Sequence, residues 1–288
     1  VTSTDPLAPL LDLPGVRDAV ERARTACEEL RWHEAFRRRW REVRAEADLR
    51  AARAGAAADG ARVPLDLLRR VATGLPPGRE AAAADLRVAS GALRATVLAA
   101  GWRPDLGGRS EPVVPPLGQV LARLHTAATA GWLPDADLGR VRGVGQPARD
   151  LGGLGPAPEG DAVAERLALL TRTVAGTRAP ALVVAAVVHG EVLALRPFAA
   201  GNGVVARVVA RMLLSGRGLD PTGAVVPEVL WAAQVQPYVA GAARFATGTP
   251  DGVGSWVSAY ADAVVAGVAE GRAVADAVLA GRLGAGGG

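Results

Sequence analysis

The sequence predicts an all-α fold, on three observations. Half of the 288 residues are hydrophobic but only 4% are aromatic, so the core has to be built from Ala, Val and Leu, which favours closely packed helices. Few segments alternate apolar and polar residues with the two-residue period of a strand. Valine, a good strand former elsewhere, is spread here through Ala-rich stretches with helical spacing. A chain of this length buries roughly three-quarters of its unfolded surface, enough for one large domain or two small ones without staples.

Residues 1–15 are spaced by prolines and read as extended. A helix is predicted from Val16 to Ala58, with Val16, Val20, Ala23, Cys27 and Leu30 as its apolar stripe. Within it Arg37, Arg38, Arg39 and Arg41 surround Trp40, a pattern that suits nucleic acid. Glu28, Glu29, Glu34, Glu42 and Glu46 offer partners at helical spacing, so the cluster reads as a solvated helix face. Gly60 caps the end of this helix. Pro64 opens the next helix, which Gly74 ends; Pro76-Pro77-Gly78 then breaks the chain, and Arg79 to Ala100 forms a further helix closed by Gly101. The Pro- and Gly-rich stretch from Arg103 to Pro116 separates an N-terminal helical region, residues 1–102, from a helical core, residues 110–282, with a flexible tail over 283–288.

In that core a helix from Leu117 to Ala130 carries His125, which is expected to pack at a helix interface or to hydrogen-bond a loop. The glycine- and proline-rich stretch from Leu133 to Gly160 reads as loop. Asp161 caps a helix that runs to Ala175, and Pro180 starts another that passes through His189 to Leu195. A short loop leads into a helix from Val204 to Ser215, and helices from Pro227 to Thr247 and Gly254 to Arg282 complete the bundle. Trp231, Tyr238, Phe245, Trp256 and Tyr260 read as core or interface anchors.

All basic residues are arginine and the formal net charge is only +4, which gives little electrostatic reason to expect nucleic acid as a partner. Cys27 is the single cysteine, which excludes an intramolecular disulfide and a cysteine metal cluster and fits a reducing cytoplasm. The three histidines, at 33, 125 and 189, lack the local spacing of metal ligands. The first fourteen residues lack the pattern of a secretory signal, and the apolar run Ala181 to Val188 is too short for a membrane span. No membrane partner is expected.

The stretch with chemical content is Leu195-Arg196-Pro197-Phe198-Ala199-Ala200-Gly201-Asn202-Gly203-Val204-Val205-Ala206-Arg207. Two glycines around an asparagine, directly before a helix, leave backbone N–H groups at the positive end of the helix dipole, a cradle for phosphate oxygens. The same residues also make an interhelical turn that binds nothing. Arg207 lies near the helix start and reaches an anion held by Gly201, Asn202 and Gly203. Arg211 is one turn further on and is expected to pair with a carboxylate. Asn202 either donates its side-chain amide to a phosphate or stabilises the turn.

This stretch resembles the signature of Fic-domain proteins, His-Pro-Phe-x-Asp/Glu-Gly-Asn-Gly-Arg-x-x-Arg. Pro197, Phe198, Gly201, Asn202, Gly203 and Arg207 fall on it. His189, seven residues before Arg196, also matches, as does Leu124-His125 followed by the Gly-x-x-Arg loop Gly139-Arg140-Val141-Arg142. The likeness extends over roughly residues 110 to 245. It implies a Fic-like helical bundle with added N-terminal helices and a loop or short hairpin flap at about 144–160, and a reaction that moves AMP from ATP to a hydroxyl of a protein target. Three positions depart: Arg196 stands where the family has its histidine base, Ala200 where it has an acidic metal ligand, and Val204 where it has its first arginine. Many family members also carry an inhibitory Ser/Thr-x-x-x-Glu-Gly/Asn helix whose glutamate pairs with the second motif arginine. Asp59-Gly60 stands at a matching place, with Gly55 instead of Ser/Thr and the shorter Asp instead of Glu. Asp59 therefore reads either as a helix end or as an inhibitory partner of Arg207, the helix end being the simpler account.

Arginine has no acceptor and stays protonated, so Arg196 cannot serve as a base, and Mg²⁺ is not expected at its usual position beside Ala200. Three readings follow: a Fic-fold protein impaired in catalysis that keeps a site for ATP or another phosphorylated ligand; an active transferase with a divergent mechanism or donor, His189 or a target residue supplying the base; and a helical partner-binding protein with no nucleotide site. A protein target, a regulatory partner and a homodimer are the partners these readings imply.

Overall fold

A computed structural model describes residues 5–76, 82–108, 112–149 and 152–283. Twelve α-helices and no strand occur among them, so the all-α expectation holds, and the described residues between Leu133 and Gly160 are loop apart from a 3-10 turn at Asp135–Asp137. The calls on Pro77 to Arg79 and on the glycines from 284 onward fall outside the described residues.

The central layer is a pair of helices, α8 (Ala181–Leu195) and α9 (Asn202–Gly216), joined by the motif loop. Both are buried on nearly every side, and from Leu182 to Gly190 no residue of α8 reaches the surface. An apolar helix of this kind has no solvent face and has to be wrapped. On one side it is covered by α11 (Val235–Ala246), α12 (Pro250–Leu279) and, outermost, α1 (Val16–Arg31). On the other side of the pair, against α9, lie α5 (Ala83–Ala100), α6 (Leu117–Thr129) and α3 (Trp40–Ala58). The remaining elements are α2 (Ala35–Arg38), α4 (Leu65–Ala72), α7 (Gly160–Gly176) and α10 (Glu228–Ala233), the last wedged between α3 and α12. Residues on both sides of 103–116 share one apolar core, from Leu7 through Leu49 and Leu93 to Val204 and Val278. None of the described helices is long and apolar enough to cross a membrane.

Several boundaries differ from the sequence reading for local reasons. The helix expected from Val16 to Ala58 is three helices. It breaks at Trp32, where the His33 ring accepts from Ala35 N–H at 3.2 Å, and again at Arg39, whose backbone leaves the helical region. These breaks turn Ala35 and Phe36 into the core while Trp32 stays at the surface. On α1 the buried position is Ala19, with Val20 only partly covered. Residues Ala8–Asp12 form a 3-10 turn where an extended segment was expected. The α7 helix starts at Gly160, before the predicted cap Asp161; a Cβ at Gly160 would stand 2.5 Å from the Gly143 carbonyl carbon, so the helix opens where the loop backbone crosses it. The last two predicted helices are α10, α11 and α12, divided at Gln234, with α12 opened by Thr249, whose hydroxyl accepts from Gly252 N–H, and by Pro250 at its first turn.

The arginine cluster is a solvated face with partners. Arg39 pairs with Glu42, Arg41 pairs with Asp105 at 3.2 Å, and Trp40 lies between the guanidinium groups of Arg41 and Arg44 at 4.3 and 4.7 Å.

Helices α5 and α6 cross closely, where a Cβ at Gly91 would stand 1.9 Å from the Ala128 carbonyl oxygen. Backbone cannot retreat as a side chain tip does. Gly91→Ala is therefore expected to cost at least ~1–3 kcal/mol despite alanine's better helix propensity; a denaturant midpoint equal to or above wild type would show that α6 can shift.

Candidate functional site

The motif loop is built by three layers of contacts. Its first residue, Arg196, ends α8 in the left-handed region (φ 44°, ψ 64°), the one non-glycine residue with positive φ among the described residues. Such a conformation costs of order 1 kcal/mol, and two arginines hold it. Arg142 Nε donates to the Arg196 carbonyl at 2.7 Å, and its Nη2 donates to the Leu195 carbonyl at 3.1 Å, placing a cation on the negative end of α8. The Arg196 guanidinium donates to the Gly155 carbonyl at 2.9 Å. Backbone bonds from Arg142 N to Pro197 O and from Arg149 N to Ala199 O, both 2.8 Å, lay loop 142–149 along the motif.

Phe198 and Asn202 lock the turn itself. The Phe198 ring, 1% exposed, stacks on His125 with centroids 4.0 Å apart. Asn202 accepts from Phe198 N–H and donates its amide to Phe198 O, each at 2.9 Å, so its side chain is engaged in turn closure. His125 Nδ1 accepts from Gly139 N–H at 2.9 Å; the proton therefore sits on Nε2, which donates to Ala200 O at 3.0 Å. Burial pushes its pKa down to about 4, against a lesser upward pull from that carbonyl and Asp137, so the ring is a neutral brace. Both expectations for His125, helix packing and a loop hydrogen bond, are met.

At Gly201 (φ 80°) the chain turns into α9, and a Cβ there would stand 2.6 Å from Thr129 Cγ2. The first backbone N–H groups of α9 have no intrahelical acceptor. What lies against this helix start is Asp59. A Cβ on Gly203 would stand 2.5 and 2.8 Å from the two Asp59 carboxylate oxygens, so only glycine accommodates the carboxylate there. Asp59 Oδ2 accepts from Arg207 Nη2 at 2.5 Å.

Asp59 reaches this point because α3 ends in a Schellman turn. Gly60 N–H donates to Ala57 O and Ala61 N–H to Ala56 O, with Gly60 at φ 91°. The helix-end reading of Asp59-Gly60 is thus correct, and it is this turn that aims the carboxylate at Arg207. The Asp59 side chain is 18% exposed and that of Arg207 1%.

Behind Arg207 lies a closed aromatic chamber. Arg207 Nη1 donates to Tyr238 Oη at 3.3 Å, and Tyr238 Oη lies 2.8 Å from His189 Nε2. His189 is fully buried among Trp231, Tyr238, Trp256 and Tyr260, with ring centroids at 4.7 to 5.7 Å. Burial, and then the nearby Arg207 charge, hold its pKa well below the ordinary value. A ring enclosed in this way meets no substrate hydroxyl, which removes His189 as a base in this conformation. Burial also works against the charge of Arg207, but Asp59 and Tyr238 more than offset it and its pKa stands above the usual arginine value.

One turn on, Arg211 pairs with Asp48 at 2.5 Å, as its expected carboxylate partner, and donates to Val225 O and Gly223 O. Arg103 shares Asp48 from the other side. Asp48, Arg103, Tyr238 and Glu228 are the members of this network that sequence reasoning does not assign. The one signal is that Asp48 and Asp59 are eleven residues apart, three turns of α3, and so share a face.

Among the described residues, those at the motif do not fit a divalent cation. Ala200 offers a methyl group, its carbonyl oxygen is taken by His125, and the nearby carboxylate of Asp59 is bound to Arg207.

No family model matches this chain, and no curated protein matches it. Solved structures do. A Fic family protein from Desulfovibrio desulfuricans superposes with a TM-score of 0.71 at 18% identity, covering 90% of this chain and 74% of its own. Fic-1 (residues 134–508) from C. elegans gives 0.68 at 16% identity, covering 95% and 75%. A Fic domain containing signaling protein from Bacteroides thetaiotaomicron gives 0.68 at 12% identity, covering 90% and 98%. The chain has the Fic fold.

Proposed function

We propose that this Fic-fold chain binds a nucleotide or another phosphorylated ligand at the start of α9, is impaired in the AMP transfer the family performs, and is held closed by its own Asp59. The observation that carries the reading is the Asp59 carboxylate. It packs on Gly203 and pairs with Arg207, so the helix start with its arginine already holds an anion, one supplied by the chain itself. A phosphate would take the same place and the same guanidinium. Asn202 would contribute its backbone N–H, its amide being engaged by Phe198. Gly201 and Gly203 would let the phosphate approach the backbone closely.

Catalysis is a different matter. Arg196 presents only donors, one of them bound to Gly155 O, and can take no proton from a target hydroxyl. Absence of a general base costs roughly 10²- to 10⁴-fold. The described donors beside Ala200 do not fit a metal that would stand in for the base. The buried Cys27, whose pKa burial and then Asp220 raise, fits an intracellular reducing compartment such as the cytoplasm.

Calorimetric titration with ATP, with and without Mg²⁺, tests the reading. Wild type is expected to bind weakly and without dependence on Mg²⁺. Asp59→Ala, which frees the guanidinium for a charged partner, is expected to bind about 10- to 100-fold more tightly, and Asp59→Asn serves if the alanine variant is unstable. Arg207→Ala in the same background should abolish binding. Absence of binding by both Asp59 variants would overturn the phosphate site, and an Asp59→Ala affinity equal to wild type would remove Asp59 from its control.

A further inference from the structure

Arg207 is anchored through both of its terminal nitrogens, and only one anchor, Asp59, lies where a ligand would go. The other is a hydrogen-bond relay inside the protein. Arg207 Nη1–H donates to Tyr238 Oη at 3.3 Å, and the phenol O–H finds an acceptor in His189 Nε2, 2.8 Å away, when the imidazole is the Nδ1–H tautomer. The ring then carries its proton on Nδ1. That atom has no hydrogen-bond partner and lies in the chamber of Trp231, Trp256 and Tyr260, each crossed by the imidazole edge-on at 81°, 83° and 87° respectively. A buried polar atom without a partner costs stability, and the arrangement spends that cost on giving Tyr238 a fixed acceptor.

We propose that Tyr238, oriented in turn by His189, is a positioning residue that keeps the Arg207 guanidinium aimed at the start of α9, so that the anion site stays formed when Asp59 leaves it. This rests on the phosphate reading of that site. The relay is suited to the task. A guanidinium held by one carboxylate would follow that carboxylate or swing once it moves away. Tyr238 sits on α11 and His189 on α8, neither of which carries Asp59, so movement at the end of α3 leaves both in place. Tyr238 is itself confined, 6% exposed and stacked on Trp231 with centroids 5.5 Å apart at 25°.

Tyr238→Phe removes one oxygen and keeps the ring in the chamber, which separates positioning from packing. Two readouts decide the matter. The first is the hindered rotation of the Arg207 Nη groups in ¹⁵N-labelled ligand-free protein, with signals assigned through Arg207→Lys. In wild type and in Asp59→Ala the rotation is expected to be slow, and Tyr238→Phe in the Asp59→Ala background should release it, with unchanged slow signals from Arg142. His189→Leu should release it in part. The second readout is tripolyphosphate affinity, expected to fall about tenfold from Asp59→Ala to the Asp59→Ala/Tyr238→Phe double variant. Rotation as slow without the Tyr238 hydroxyl as with it overturns the proposal, as does released rotation with unchanged affinity. If Asp59→Ala fails to bind tripolyphosphate while the hydroxyl still controls Nη rotation, the positioning role stands and the phosphate reading falls.

Discussion

Replacing Asp48 by alanine is expected to be among the most damaging single changes to the fold, costing about 3–5 kcal/mol. The carboxylate carries two cations at once, Arg211 from α9 and Arg103 from the segment after α5, and all three side chains are buried to 11% exposure or less. Without it both guanidinium groups remain charged and covered, with backbone carbonyls of Gly223 and Val225 as their acceptors. A carbonyl oxygen is a partner for an N–H but does not neutralise a buried charge. Exposed pairs such as Arg17–Asp12, with side chains 68% and 77% exposed, contribute ~0–1 kcal/mol by comparison. Against a typical total of ~5–15 kcal/mol the loss of Asp48 leaves a marginal protein. Urea unfolding followed by tryptophan fluorescence should show the midpoint falling sharply at unchanged slope. A shift equivalent to less than ~1 kcal/mol would mean that water reaches the arginines and that this cluster is not a load on the fold.

The contrast between Asp48 on α3 and Asp59 at its end shows what a sequence can and cannot disclose. Asp59 is visible because a glycine follows it and the helix must stop there; its partner Arg207, 148 residues away, is offered only by the family resemblance, because a bare helix end is chemically complete. Asp48 sits in Ala-Glu-Ala-Asp-Leu-Arg-Ala-Ala, which reads as a solvated helix turn. It is buried because α5, α10 and α12 cover α3 on several sides, leaving its polar residues little water to point to. In the motif loop, by contrast, the turn itself was legible, although the sequence left the role of Asn202 open and carried no sign that Arg196 would be left-handed. Glycines at 201 and 203, an asparagine that closes the turn and a phenylalanine that anchors it are local requirements, and local requirements leave local marks. His189 and Tyr238 lie between these cases. Each is marked as core by its surroundings in the sequence, but that one hydroxyl would join His189 to Arg207 depends on how α8, α9 and α11 meet.

The last consequence concerns pH. Glu228, 2% exposed, has one carboxylate oxygen without a hydrogen-bond partner, and burial raises its pKa to about 7, with Arg211 and Arg207 pulling it back down and Asp48 adding to the rise. A folded value above the unfolded one, ~4.3–4.5, means that the folded state binds the proton more tightly. Its contribution to stability is thus fully present below about pH 4.5 and is lost as pH rises through 7, a loss of about 3 kcal/mol. His125 and His189 work in the opposite sense: their folded pKa values are depressed, to about 4 for His125, so their contribution is present above the unfolded pKa of ~6.5 and is lost as pH falls. Between pH 5 and 6.5 the two histidines outweigh the one glutamate, so wild-type stability should still rise with pH there, by about 1–2 kcal/mol, less than the histidines alone would give. Glu228→Gln removes one of them while keeping a side chain of the same shape. The variant is expected to gain stability over wild type steadily from pH 5 to pH 8, by about 3 kcal/mol at the upper end, and its own profile should rise with pH across the histidine range. Parallel profiles for the two proteins would show that Glu228 stays ionised in the fold, paired through Arg211 more strongly than its burial opposes.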